Sequence, residues 1–120
     1  MRFRPEQHLR RQSDIRAVRE QGVRVDCRAY TLWCLRRTGT AAPGPRLCVA
    51  ASTAAVGGAI LRNRAKRRLR EVFRQNQREA PAGCDFLLSA RAAVNRWTFP
   101  ELERKFIEAC RQIASSEQHA

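Results

Sequence analysis

The stretch RLCVAASTAAVGGAILRNRAKRRLREVFRQNQ, residues 46–77, decides how this chain is read. Its opening, 46–52, holds Leu47, Cys48 and Val49 followed by alanines, and predicts an apolar strand. Residues 53–58 are small, end in Gly57 and Gly58, and predict a turn. From 59 to about 77 the pattern is helical. At about 100° per residue, Leu61, Ala65, Leu69, Val72 and Phe73 fall within an arc of roughly 120°, wide enough to face a sheet. The rest of the circumference is basic: Arg62, Arg64, Lys66, Arg67, Arg68, Arg70 and Arg74 stand against the single acid Glu71. Arg62/Lys66, Lys66/Arg70 and Arg70/Arg74 are like-charge neighbours at i,i+4, each costing a few tenths of a kcal/mol. A face kept only for solubility would interleave glutamates, so this one reads as a surface for a polyanion. The glycines ahead of it allow close approach of another molecule, and the helix N-terminus offers N–H groups suited to phosphate. The spacing is not that of a P-loop.

Working outward, residues 1–12 are polar and basic, contain Pro5, show no periodicity, and predict a flexible arm. Ser13 and Asp14 can cap a short helix with Ile15 and Val18 on its apolar side, stopping at Gly22. Residues 23–37 alternate and then turn β-favouring, predicting two strands or one bent strand. Residues 38–45, with Gly39, Pro43, Gly44 and Pro45, predict a connection. Phe86, Leu87 and Leu88 mark a strand at 84–90. Thr98 or Pro100 starts a last helix with Leu102, Phe106, Ile107, Cys110 and Ile113 on one face, and Trp97 and Phe99 read as a staple at its start. From 115 to 120 a frayed tail is expected. The order is α-β-β-β-α-β-α.

With 120 residues the chain, 1–120, is expected to be one RNA-binding domain rather than two units. A 43% hydrophobic content can supply a core, while 24 basic against 11 acidic residues give a net charge of +13. All the basic residues but Lys66 and Lys105 are arginine, whose planar fork holds phosphate in two hydrogen bonds and stacks on bases. No run approaches the ~20 apolar residues of a membrane span, and the first residues lack the apolar stretch of a secretory signal. No membrane partner and a cytoplasmic location are therefore expected. Five widely spaced cysteines, Cys27, Cys34, Cys48, Cys84 and Cys110, give neither a zinc pair nor a disulfide framework and read as buried reduced thiols. His8, His119, Asp14, Asp26 and Asp85 form no motif, so no catalytic residue and no metal site is assigned.

Arg62-Asn63-Arg64-Ala65-Lys66-Arg67, preceded by Gly57-Gly58-Ala59-Ile60-Leu61 and followed by Leu69-Arg70-Glu71-Val72-Phe73-Arg74, closely resembles the signature of the bacterial ribonuclease P protein subunit. The likeness extends over nearly the whole chain: His8-Leu9 through Asp14-Ile15 to Gly22-Val23-Arg24 is similar to that family's first helix, Tyr30-Thr31-Leu32-Trp33 to its cleft strand, and Cys84-Asp85-Phe86 to Ala90-Arg91 to its last strand. The resemblance implies an α/β (α+β) two-layer sandwich, ribosomal protein S5 domain 2-like, with a left-handed βαβ crossover where sequence rules alone predict the right-handed one. It implies that the partners are ribonuclease P RNA and precursor tRNA, that the RNA and its Mg2+ remove the 5′ leader, and that no obligate protein partner is needed. A structural RNA-binding protein, such as a small ribosomal protein, is the alternative, against which the Arg62-Asn63-Arg64 context argues.

By the same resemblance, Arg62, Asn63, Arg64, Lys66, Arg67, Arg68 and Arg70 face the catalytic RNA, and Ile15, Arg19, Tyr30 and Trp33 surround a cleft for the leader. Ala54 and Ala55 stand where the family usually has two lysines, and Ile15 and Arg19 where it has aromatics. Strand alternation sets Tyr30 opposite Trp33, so both cannot share the cleft. Tyr30, with its polar tip, reads as the stacking residue, Trp33 as core, and Arg19 as a replacement that lies on a base or grips a phosphate.

Overall fold

Apolar side chains on both faces of residues 84–90 mark a strand covered from two sides, and such a strand belongs inside a sheet. In the computed structural model, which describes residues 8–37 and 44–118, it is a central one. The elements run α1 (Gln12–Gln21), β1 (Val23–Asp26), β2 (Tyr30–Arg36), β3 (Arg46–Ala50), α2 (Thr53–Val56), α3 (Ala59–Gln75), β4 (Cys84–Ala90) and α4 (Phe99–Gln118), with short 3-10 turns at Gln77–Glu79 and Ala92–Asn95. The sheet order is β1-β2-β4-β3. β2 pairs antiparallel with both β1 and β4, while β3 runs parallel to β4, with α3 crossing between them. The register sets Leu32 opposite Leu88, Trp33 opposite Leu87 and Cys34 opposite Phe86.

Alternation then divides the sheet's side chains. On the inner face Tyr30, Leu32, Cys34, Leu47, Phe86 and Leu88 meet Ala65, Leu69, Val72 and Phe73 of α3 and Leu102, Phe106 and Cys110 of α4. Phe73, Phe86 and Phe106 close this core, their ring centroids 5.8 to 6.0 Å apart in edge and tilted arrangements. On the outer face Leu87, Trp33, Leu35, Cys48 and Ala50 meet Leu9, Ile15 and Val18, so α1 lies across the side of the sheet away from α3 and α4. The mixed α/β architecture and the α-β-β-β-α-β-α succession agree with the sequence reading, with the single turn α2 added before α3.

Charge enters the outer face at one end. Asp85 is only 4% exposed and is held by Arg37 Nη1 at 2.6 Å and by Arg46, whose Nε and Nη2 each donate at 2.8 Å. A buried carboxylate needs such partners. Arg37 also donates to the carbonyls of Cys84 and Gly44, and Arg46 lies 3.8 Å from Asp14 of α1, so the cluster ties β2, β3 and β4 to the helix above them.

Several expectations change. Only 1–7 of the arm falls outside the described residues: Leu9 is buried and donates to the Leu47 carbonyl, and His8 bridges to the same residue, so the arm's end adds to the β3 edge. Gln12 already belongs to α1, whose N-cap is Arg11; Ser13 and Asp14 lie inside its first turn. The turn at 53–58 contains the single helical turn α2, capped by Ser52 Oγ accepting from the Ala55 N–H at 3.1 Å. It ends at Gly57, which has φ 122° and whose added Cβ would stand 2.9 Å from Leu61 Cδ1, so glycine is required there. Leu61 rests there at the helix head and is 43% exposed instead of in the core. α4 runs through Gln118, so the helix reaches into the segment expected as a tail; its start is a capping box in which Glu101 Oε1 accepts from the N–H and hydroxyl of Thr98. The connection at 38–43 lies outside the described residues.

The assignment of Tyr30 and Trp33 is reversed. Tyr30 is fully buried, and its hydroxyl donates to the Leu102 carbonyl at 2.9 Å, so the polar tip that pointed to the surface is satisfied inside. Trp33 is half-buried on the outer face. Tyr30→Ala is accordingly expected to cost ~3–5 kcal/mol of stability, as a large core truncation does, and Trp33→Ala roughly half of that or less. Urea unfolding midpoints for the two variants check this order.

Candidate nucleic-acid interface

The apolar stripe of α3 fixes which of its cations face solvent. Ala65, Leu69, Val72 and Phe73 are fully buried, which turns Asn63, Arg64, Arg67 and Arg70 outward and leaves Arg62, Lys66 and Arg74 half-covered at the sides. Among the described residues no acidic side chain pairs with Arg64, Arg67 or Arg70. Glu71 does not offset them, because Arg74 Nε lies 3.0 and 3.1 Å from its two oxygens and Gln75 Nε2 donates at 2.9 Å. The Arg74 hydrogen bonds, and then that of Gln75, push the Glu71 carboxyl down to about 2. It stays ionised and engaged locally.

Arg68 departs from the expected set. Its guanidinium turns inward, donating from Nε to the Val94 carbonyl at 3.0 Å and from Nη2 to that of Trp97. It therefore fastens α3 to the segment leading into α4, where a helix-wheel argument sees only another cation. Asn95 supports the same junction by donating from Nδ2 to the Leu61 carbonyl at 3.0 Å.

A second cationic region lies on the outer face of the sheet. α1 presents Ile15 and Arg19 one turn apart, and the Arg19 guanidinium carbon sits 5.5 Å from the centroid of the Trp33 ring, a cation–π stack. Beside it Cys48 is half-buried; burial pushes its thiol up against the opposing pull of Lys66, Arg19 and Arg70. Lys66 and Arg70 of α3 and Arg19 of α1 thus all lie close enough to Cys48 for their charges to act on its thiol. Arg70 also acts, with Arg10, on His8 at the docked end of the arm, where burial first and then these two charges hold the imidazole below its ordinary value. The cations of α3 and of α1 both act on the Cys48 position, so the two basic regions approach each other at β3. Ile15, Arg19 and Trp33 come together on the outer face of the sheet and Tyr30 does not. His8 and Arg10 belong to its margin, and the apolar Leu9 within the polar arm was the signal that this segment docks.

Burial pushes the thiols of Cys27 and Cys110 up to about 12, so they stay protonated, and all five cysteines are reduced. Among the described residues no group of three or more His, Cys, Asp or Glu could hold a metal ion, and no helix is long and apolar enough to cross a membrane.

Comparison with known proteins agrees with this geometry. The model of the Ribonuclease P family matches residues 3–114. The chain is 37% identical over 98 residues to the ribonuclease P protein component of Acidothermus cellulolyticus, covering 82% of this chain and 80% of that one. It is 34% identical over 110 residues to that of Oleidesulfovibrio alaskensis, covering 90% and 86%. The ribonuclease P protein of Thermotoga maritima has the same fold, with a TM-score of 0.73, 22% identity and coverage of 88% of this chain and 96% of that one. The Staphylococcus aureus protein gives 0.71 at 22% identity, covering 90% and 94%. The family match over residues 3–114, and relatives at this identity over most of both chains, place this chain in the ribonuclease P protein family.

Proposed function

We propose that the chain is the protein part of a ribonucleoprotein endonuclease that removes the 5′ leader of precursor tRNA, with ribonuclease P RNA as its partner and carrier of the chemistry. The observation that carries this is the arrangement of cations: an outward row on α3 with no acidic partner among the described residues, and Arg19 over the half-buried Trp33 on the outer face of the sheet. Arg62, Asn63, Arg64, Lys66, Arg67 and Arg70 contact the catalytic RNA, and Arg68 serves the fold. Ile15, Arg19 and Trp33 receive the single-stranded leader, Trp33 stacking on a base and Arg19, already above the indole, lying on the next base or on its phosphate. This combination is sequence-tolerant, because every base has a π-face and every nucleotide a phosphate.

The chain itself supplies binding and orientation. Mg2+ held by the RNA would supply activation of water and stabilisation of the leaving oxygen. The side chains named for the site are cationic, apolar or, at Asn63, a neutral amide, with no carboxylate among them, so the donor set does not suit the ion, which the RNA would hold. What the protein's residues do is neutralise phosphate repulsion between two RNAs and fix the leader, which favours precursor over mature tRNA. A cytoplasmic location and independence of any obligate protein partner complete the proposal.

Two expected outcomes test it. Arg64→Ala or Arg67→Ala lowers the log–log salt slope of binding to ribonuclease P RNA by roughly 0.7 to 0.9 per lost phosphate contact, with stability changed by no more than ~0.5 kcal/mol. Arg68→Ala instead lowers stability by ~1–3 kcal/mol, since two hydrogen bonds from a charged donor are lost, and leaves the slope intact. Filter binding across a salt series and thermal unfolding of the same variants separate the two roles. Trp33→Ala in the assembled enzyme weakens binding of precursor tRNA by ~1–3 kcal/mol and leaves mature tRNA, which lacks the leader, unaffected. Equal losses for both tRNAs would remove the leader from the cleft.

A further inference from the structure

The head of α3 carries an apolar side chain that the fold leaves uncovered. Ile60 is 85% exposed, far more than Val23 or Leu61, the other large apolar residues exposed among those described. Leu61 has a packing neighbour in Gly57, whereas Ile60, one position earlier, points away from the sheet. At 3.6 residues per turn it shares one row with Asn63, Arg64 and Arg67, all exposed, opposite the buried Ala65 and Leu69. A single exposed isoleucine is ordinarily without meaning. This one stands in line with the cations that define the candidate interface, where a β-branched residue is a poorer helix former than alanine, and its stiff side chain loses little freedom on contact. Around Gly58, just before the helix, an added Cβ would meet nothing within 4 Å, so a partner's backbone has room to approach.

We propose that Ile60 packs against the face of a nucleoside in the ribonuclease P RNA held by Arg64 and Arg67, and supplies a part of the affinity that salt does not screen. The occupant follows from charge: the row around Ile60 is cationic, so the partner that covers it is anionic, and its surface continues the RNA interface. The inference rests on the RNA reading above and adds an apolar contact to it. Phosphate contacts release counterions and weaken steeply with salt, whereas burial of apolar surface is not weakened by added salt. The two contributions therefore separate in a salt series.

The test titrates ribonuclease P RNA with the full chain, with Ile60→Ala and with Arg64→Ala across a KCl series at fixed Mg2+. Alanine is the better helix former, so Ile60→Ala preserves α3, and circular dichroism checks this. Losing half of the burial of three carbons predicts an affinity roughly tenfold lower at every salt concentration, a line parallel to that of the unchanged chain. Arg64→Ala predicts a shallower line. An Ile60→Ala line that coincides with that of the unchanged chain, while the Arg64→Ala line is displaced, overturns the inference and leaves the RNA reading in place. Loss of self-association in sedimentation, with RNA affinity unchanged, assigns Ile60 to a second copy of the chain and also overturns it. A chain whose affinity ignores salt altogether removes the RNA reading itself.

Discussion

One helix has to satisfy two incompatible surroundings, and the rest of the molecule follows from that. α3 buries Ala65, Leu69, Val72 and Phe73 completely, yet the remainder of its surface is cationic with a single acid that is already engaged. Isolated in water, such a helix would be opposed by its own like-charge neighbours. It holds because the stripe is clamped between β4 and α4 through the three phenylalanines, and because the half-buried Arg68 is turned to two carbonyls. The uncompensated charge is then displayed on a rigid scaffold, as a binding surface requires.

The opposite face of the sheet shows a complementary economy. α1 is only ten residues long and buries a single side chain fully, Val18, so it covers part of the outer face and leaves Trp33, Cys48 and Ala50 half-open. Its position is set at one end by the cluster of Asp85 with Arg37 and Arg46, which reaches Asp14, and at the other by Arg19 over Trp33. A longer or more apolar helix would close the cleft. The outer face thus stays partly open because α1 is too short to cover the sheet, and the charges of Arg19, Lys66 and Arg70 all reach Cys48 there.

Much of this was legible in the sequence, for identifiable reasons. The α3 stripe, the buried strand at 84–90 and the alternation of 30–35 depend on periodicity, which burial enforces. What periodicity cannot convey is which face of β2 meets which helix: Tyr30 and Trp33 were correctly set on opposite sides but exchanged, because the acceptor for the tyrosine hydroxyl is the Leu102 carbonyl, 72 positions away. The same distance effect hid the inward turn of Arg68 toward Val94 and Trp97 and the docking of Leu9 on Leu47. Each is a long-range contact by a residue whose local pattern pointed elsewhere. The family likeness pointed to the α3 surface and to the outer face of the sheet, and did not convey the long-range contacts that hold their side chains in place.

The proposed division of labour is that this chain binds and orients while an RNA performs the hydrolysis. The direct measurement is multiple-turnover cleavage of a precursor tRNA by the purified chain alone, by ribonuclease P RNA alone and by the two together, at one low Mg2+ concentration. The account predicts sustained cleavage at the mature 5′ end only in the mixture. Cleavage at that position by the chain alone, or a mixture no more active than the RNA alone, would contradict it.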